Sequence, residues 1–147
     1  LAFLFSSGFI FVNGILWLAT LPRNIVRRRQ RRRLIKEGIE RLDYAECAVL
    51  REFEIQAQNV VYMPTTDTSV ISLLNNQILI RRSNQGFDAS CGPIFPLAIS
   101  ADARGLLTPS AIGWPLRDPT PAERDRLLTS RPPFTREVER HRRLFGY

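Results

Sequence analysis

The stretch "DYAECAVLREFEIQAQNVVYMPTTDTSVISLLNNQILIRR", residues 43–82, decides the fold, because helical and strand patterns alternate within it. Val49, Leu50 and Phe53 recur at the spacing of one helix face. The run over 59–64 is β-branched and aromatic and ends in proline, which is typical of a short strand. An alternation of this kind predicts a small α+β domain.

Acidic residues mark where the helices of this domain begin. Asp43 is predicted to be an N-cap, and Glu46 completes a capping box, so that a helix covers about 44–58. Asp67 stands among capping residues at the start of a second helix within 65–77. We therefore expect these acids to cap helices rather than to act as catalytic groups.

The rest of the domain is predicted from shorter patterns. It comprises a strand over 78–82, a loop over 83–93, a strand over 94–100 in which Phe95, Leu97 and Ile99 alternate, and a helix over 101–107. The resulting order is helix, strand, helix, strand, loop, strand, helix. This order favours a winged-helix-like domain over residues 43–108, with the loop as its wing.

Residues 1–21 contain no charged side chain and are predicted to form an N-terminal transmembrane helix. A stretch of about 20 apolar residues, at a rise of ~1.5 Å each, matches a hydrocarbon core of about 30 Å. A cleaved signal peptide and a buried core helix are the alternatives. The apolar run is long for either, and the basic residues follow it, whereas a signal peptide begins with them.

The predicted span contains small and amide side chains that suit contact with another helix, namely Ser7, Gly8, Asn13 and Gly14. They indicate a protein partner or a homo-oligomer. Polar residues that a single span merely tolerates are an equally good interpretation. The chain also opens on an apolar residue without Met, which suggests a second span further upstream.

A basic segment over 22–42 follows and is predicted to be a juxtamembrane helix. Between 22 and 36 it contains no acid and eight basic side chains, which are Arg23, Arg27, Arg28, Arg29, Arg31, Arg32, Arg33 and Lys36. Without these eight, the 21 basic residues of the chain fall to 13, against 14 acidic ones. We therefore expect this segment to lie on the cytoplasmic side of a membrane and to contact anionic lipid there.

Several short motifs of the domain carry a resemblance to a known family. They are Leu50-Arg51-Glu52-Phe53, Val60-Val61-Tyr62-Met63-Pro64, Asp67, Leu73-Leu74 and Ile78-Leu79. With these motifs, residues 45–86 resemble the cytoplasmic domain of superinfection exclusion protein B, a phage and prophage membrane protein. The chain departs from the family in showing one span instead of two and in having Gln77 where the family has glycine. The resemblance implies a protein of the bacterial inner membrane that blocks the growth of superinfecting phage. It implies no active site.

No catalytic, cofactor-binding or metal-binding motif is evident in the sequence, so we predict a protein that is not an enzyme and has no cofactor. Cys47, Cys91 and His141 are too few for a structural zinc site, which needs four ligands. The cysteines are interpreted as buried thiols. One disulfide, or a nucleophile pair of Cys91 with His141, is the alternative.

A protein-interaction or sensing module is the favoured function of the domain, and nucleic acid is an unlikely partner. The helix within 65–77, which would enter the major groove in a winged helix, contains no Lys or Arg. Only Arg81 and Arg82 stand near the predicted wing. The alternative function is a membrane-tethered nucleic-acid-binding regulator that uses the arginines of 27–33 as a phosphate-binding arm.

Residues 109–147 hold six of the ten prolines and are predicted to be a loosely attached, solvated tail with short helices. Thr120, Pro121 and Glu123 have the pattern of a capped helix start, and a second helix is expected after Thr135. A small basic cluster, Arg140, His141, Arg142 and Arg143, precedes Leu144. Contact of this cluster with a membrane or a partner is the alternative to a solvated tail.

Overall fold

The structure is a computed structural model that describes residues 26–145. Within them lie six α-helices, one 3₁₀ helix and four strands. In chain order these are α1 over 26–40, α2 over Tyr44–Ile55, β1 over Val61–Pro64, α3 over Thr68–Asn75, β2 over Leu79–Arg81, β3 over Phe87–Ala89, β4 over Gly92–Ile99, α4 over Ala101–Arg104, the 3₁₀ helix over Pro109–Ile112, α5 over Pro121–Thr129 and α6 over Thr135–Phe145. The chain divides into two compact units between Arg33 and Leu34, and the fold below is that of the second unit.

The sheet is organised around β4, the longest strand. β1 and β2 pair with it antiparallel on its two sides, in the order β1-β4-β2, and β3 pairs with its first residues. Because β4 is covered on both faces, the predicted alternation of Phe95, Leu97 and Ile99 is only partly right. Leu97 is buried, whereas Phe95 and Ile99 are half-buried. The guanidinium of Arg81 lies 3.9 Å from the centre of the Phe95 ring and covers it.

The predicted helix caps are confirmed. The Asp43 carboxylate accepts from the Glu46 N–H at 2.7 Å, and the Glu46 carboxylate accepts from the Asp43 N–H at 3.0 Å. Asp67 caps α3 by accepting from two backbone N–H groups. The α5 start at Thr120 and Glu123 forms the second capping box. These caps satisfy N–H groups that have no partner within the helix.

Both α2 and α3 end on a left-handed residue that is not glycine. Ala57 has φ 49° and Gln77 has φ 58°. At Gln77 the backbone N–H groups of residues 77 and 78 donate to Leu74 and Leu73 at 3.0 Å each, which is the Schellman arrangement. Glycine is favoured at this position of the motif because it lacks a Cβ. Gln77 therefore occupies a backbone position at which glycine would be free of strain.

The predicted fold class is wrong as a whole, although the domain is α+β. Within residues 26–145 the structure has six α-helices and a small antiparallel sheet, which differs from the predicted fold class of a transmembrane helix followed by a winged-helix-like domain. None of the helices in residues 26–145 combines the length and the apolar composition that crossing a membrane requires. The longest of them, α1, is rich in arginine. The predicted span over 1–21 lies outside the described residues.

The predicted wing and the predicted loose tail both differ from the structure. Residues 83–93 contain β3, which pairs with β4 and contacts α6. The C-terminal residues Phe134 and Val138 are buried and belong to the main hydrophobic core. The segment after residue 110 is therefore part of the folded domain. Its buried apolar side chains attach it to the core, which its high proline content does not indicate.

We predict that Gln77→Gly raises the free energy of unfolding of the protein by about 1 kcal/mol, because it removes the Cβ from a left-handed position. Gln77 is exposed, so the substitution removes no buried contact. Urea denaturation of the purified chain measures the change. Asn75→Gly, two residues earlier and inside α3, is the control and should lower stability. A loss of stability in Gln77→Gly would contradict the role given to this turn.

Candidate functional site

A groove of about 560 Å³ opens between the C-terminal end of α2 and the chain that follows α4. We call it the α2–α4 groove. Its apolar lining consists of Phe53, Ala57, Ile99, Leu107, Ile112, Trp114 and Leu116. Charged side chains that line it include Glu54, Arg104, Arg117 and Asp118. An apolar centre with a polar rim is the usual anatomy of a protein-binding surface.

Local backbone features of the sequence shape this groove. Ala57 turns the chain sharply at the end of α2, so that residues 58 and 59 line the groove. On the opposite side, Thr108 caps the 3₁₀ helix, and Gly113, with φ 68°, ends it. The Trp114 N–H then donates to the Pro109 carbonyl at 2.8 Å. The turn at Gly113 thus fixes the backbone at Trp114.

A second cleft of about 660 Å³ adjoins the α2–α4 groove. The two share Asn59, Ile99 and Arg104. From these residues the second cleft extends along β2, where Ile80 and Arg82 line it. The combined surface is long and open, which suits a segment of another protein better than a small molecule.

Leu116 is the most exposed large apolar side chain in the described part of the chain, at 86% of its full accessibility. It follows Pro115 and the half-buried Trp114, and all three line the groove. The Arg117 side chain next to it is held by Glu123 at 3.3 Å. An exposed leucine beside a half-buried tryptophan offers apolar area that a partner could cover.

A buried ion pair ties α2 to the connection between α5 and α6. Glu52 is fully buried, and both of its oxygens accept from Arg131 at 2.8 Å. Gln56 donates to the same carboxylate at 3.0 Å, and Glu139 lies 2.6 Å from the Arg131 guanidinium. The hydrogen bonds to Glu52 raise the pKa of Arg131 above its usual range. This bidentate pair fixes the C-terminal segment to the helix that lines the groove.

A second contact joins α6 to the turn between β3 and β4. The Glu137 carboxylate accepts from the Ser90 hydroxyl and from the Cys91 N–H. The hydrogen bond from Ser90 lowers the pKa of Glu137. The His141 ring stacks on Phe87 with 4.5 Å between ring centres. Cys91 and His141 thus both lie where α6 packs against β3 and the following turn. The Cys91 backbone binds Glu137, whereas the His141 ring packs on Phe87.

Both cysteines are free and half-buried, so the predicted buried thiols are only partly buried. Burial raises the pKa of Cys91, and the charge of Glu137 raises it further. Burial also raises the pKa of Cys47, whose thiol donates to the Ala111 carbonyl at 3.5 Å. These shifts reduce the fraction of reactive thiolate at neutral pH. No group of three or more potential metal ligands occurs within residues 26–145.

The predicted membrane-flanking residues of the described chain lie on α1. The side chains of Arg27, Arg28, Arg29, Arg31, Arg32, Arg33 and Lys36 are all exposed. Lys36 pairs with Glu40 at 3.8 Å. At about 100° per residue the arginines cover more than one face of the helix. Arg23 and the predicted helix-contact residues Ser7, Gly8, Asn13 and Gly14 lie outside the described residues.

The described structure is an α+β domain whose compact unit begins at Leu34, within α1, and which carries an open groove. The chain belongs to the super-infection exclusion protein B family, whose family model matches residues 1–110. Family membership indicates a role in superinfection exclusion. No curated protein and no solved structure matches the chain. The match contains Glu52, whereas Trp114, Leu116 and Arg131 lie beyond its end.

We predict that Arg131→Met lowers the free energy of unfolding by about 3 kcal/mol, because it leaves the buried Glu52 carboxylate without its partner. Urea denaturation of the full chain measures this change. Arg117→Gln is the matched control, since the Arg117–Glu123 pair is exposed and should contribute less than about 1 kcal/mol. Equal effects of the two substitutions would show that the Glu52 pair does not hold the segment in place.

Proposed function

We propose that this protein blocks superinfecting phage at the cytoplasmic side of the bacterial inner membrane. In this proposal its α+β domain binds another protein through the α2–α4 groove and carries out no enzymatic reaction. Family membership supports the exclusion role, and the remaining parts of the proposal rest on the charge pattern and on the groove.

The charge pattern supports the membrane location. Residues 1–21 are uncharged, and six arginines follow between 27 and 33. Basic residues next to apolar membrane-associated segments are retained on the cytoplasmic side and attract anionic lipid. The domain from residue 34 onward would then lie where intracellular proteins of an infecting phage, or host proteins that the phage requires, are accessible.

The exposure of Leu116 is the observation that carries the binding function. Its side chain stands beside Trp114 on an open groove, and the groove continues along the sheet. Tryptophan side chains in such positions supply much of the binding energy when a partner covers them, and a neighbouring leucine adds apolar area to the contact. The acidic and basic side chains at the rim can set the orientation of a bound segment.

We predict that Leu116→Asp abolishes exclusion while the protein accumulates normally, because the new carboxylate would be desolvated by the partner. A loss of about 2 kcal/mol or more in binding is expected, because the partner would bury the new carboxylate without a pairing charge. The plating efficiency of a superinfecting phage on cells that express the variant measures this effect.

Leu128→Asp on α5 is the matched control, since Leu128 is also exposed, at 44%, but does not line the groove. This control should retain exclusion. If Leu116→Asp excludes phage fully at an equal protein level, the α2–α4 groove does not bind the partner. Loss of exclusion in both variants would point to a general surface effect instead.

A nucleic-acid-binding regulator is the second candidate function, and the exposed arginines of 27–33 favour it. This function requires binding that weakens steeply as salt rises, because phosphate contacts release counterions. Retention of duplex DNA by the full chain at several salt concentrations tests it. If replacing Arg27, Arg28, Arg31 and Arg32 by Gln leaves retention unchanged, these arginines do not form a phosphate-binding arm.

A further inference from the structure

The outer face of α6 is positively charged because its acids turn toward the domain. The sequence "TREVERHRRLF" of α6 contains two acids, Glu137 and Glu139. Glu137 binds the turn between β3 and β4, and Glu139 lies 2.6 Å from the Arg131 guanidinium. Both carboxylates are thereby bound by groups of the domain, although Glu139 keeps 39% of its side-chain exposure and borders Arg140 on the outer face.

Four arginines of α6 are exposed, and three of them share one helix face with an exposed leucine. Arg136, Arg140 and Arg143 follow at the spacing of one helix face and are all exposed. Within residues 26–145, none of these three forms an ion pair. Leu144, beside Arg140 and Arg143, is 71% exposed. We call this surface the α6 cationic face.

The neighbouring helix α5 shows that this charge separation is specific to α6. In α5 the exposed arginines Arg124 and Arg126 alternate with Glu123 and Asp125. Opposite charges so close together largely cancel at a distance of one Debye length, about 8 Å at physiological salt. Of the two C-terminal helices, α6 is therefore the one that presents a net positive face.

We propose that the α6 cationic face binds the anionic headgroups of a phospholipid membrane and inserts Leu144 among them. The three arginines span about 10 Å along the helix, which matches a few headgroups but offers few contacts to the phosphates of a duplex. An apolar side chain beside arginines suits the boundary between headgroups and acyl chains. This inference rests on the proposed membrane location and adds a second, C-terminal contact to it.

The test places a nitroxide label at residue 144 of the full chain through Leu144→Cys, in a background of Cys47→Ser and Cys91→Ser. Vesicles contain either phosphatidylcholine alone or equal parts of phosphatidylcholine and phosphatidylglycerol. Collision of the label with oxygen, which enters lipid, is compared with collision with a nickel chelate, which stays in water. We expect the label to become accessible to oxygen only on the vesicles that contain phosphatidylglycerol.

Charge substitutions then test whether the arginines of α6 cause this lipid contact. Arg136→Gln with Arg140→Gln should weaken this lipid contact by roughly 25-fold, because each arginine near an anionic surface contributes about a factor of five. Arg124→Gln with Arg126→Gln removes the same charge from α5 and should have little effect. Equal effects of the two pairs would overturn the assignment to α6.

The remaining outcomes separate this inference from the proposed location. If the chain sediments with the vesicles while the label stays in water, the α6 contact is wrong and the membrane location stands. If the chain sediments with neither kind of vesicle, the membrane location fails and the α6 contact fails with it. If duplex DNA immobilises the label and vesicles do not, the face binds nucleic acid and the lipid assignment is wrong.

Discussion

The buried carboxylate of Glu52 is the constraint on which the arrangement of the domain depends. A carboxylate that is shielded from water must be paired and hydrogen-bonded, because its desolvation costs several kcal/mol. Arg131 supplies the pairing charge from 79 residues further along the chain. The α5–α6 connection is therefore held against α2, and α6 can pack its apolar side over the sheet. The domain extends in this way beyond the region that the family model matches.

This constraint also relates the family region to the candidate site. Glu52 and Phe53 are neighbours on α2, and Phe53 lines the α2–α4 groove. The other wall comes from residues 107–118, most of which lie beyond the family match. The groove is therefore a composite of the family domain and the C-terminal extension. A change at Leu116 or Arg117 would alter the lining of the groove while leaving the Glu52–Arg131 pair in place.

Local sequence patterns are sufficient to predict where the helices begin, but not how the helices and strands pack together. Asp43, Asp67 and Thr120 were identified as caps because a cap depends on residues three positions apart. The packing of the C-terminal segment is not predictable from the sequence, since Arg51 and Glu52 look like ordinary exposed charges of a helix and yet both are buried. Proline content suggested a loose tail, whereas three buried apolar residues, Leu127, Phe134 and Val138, hold it in place. The groove depends on these distant contacts and was missed for the same reason.

The arrangement of strands around β4 limits how a partner can bind. β1 and β2 form the two outer edges of the described sheet, and they contain only four and three residues. β1 also ends in Pro64, which has no N–H to donate. Such short edges offer few backbone groups for an added strand, and they resist unwanted association between sheets. If the domain binds a partner as proposed, side chains rather than an added strand would make the contact, because the short edges give a foreign strand few backbone groups to pair with.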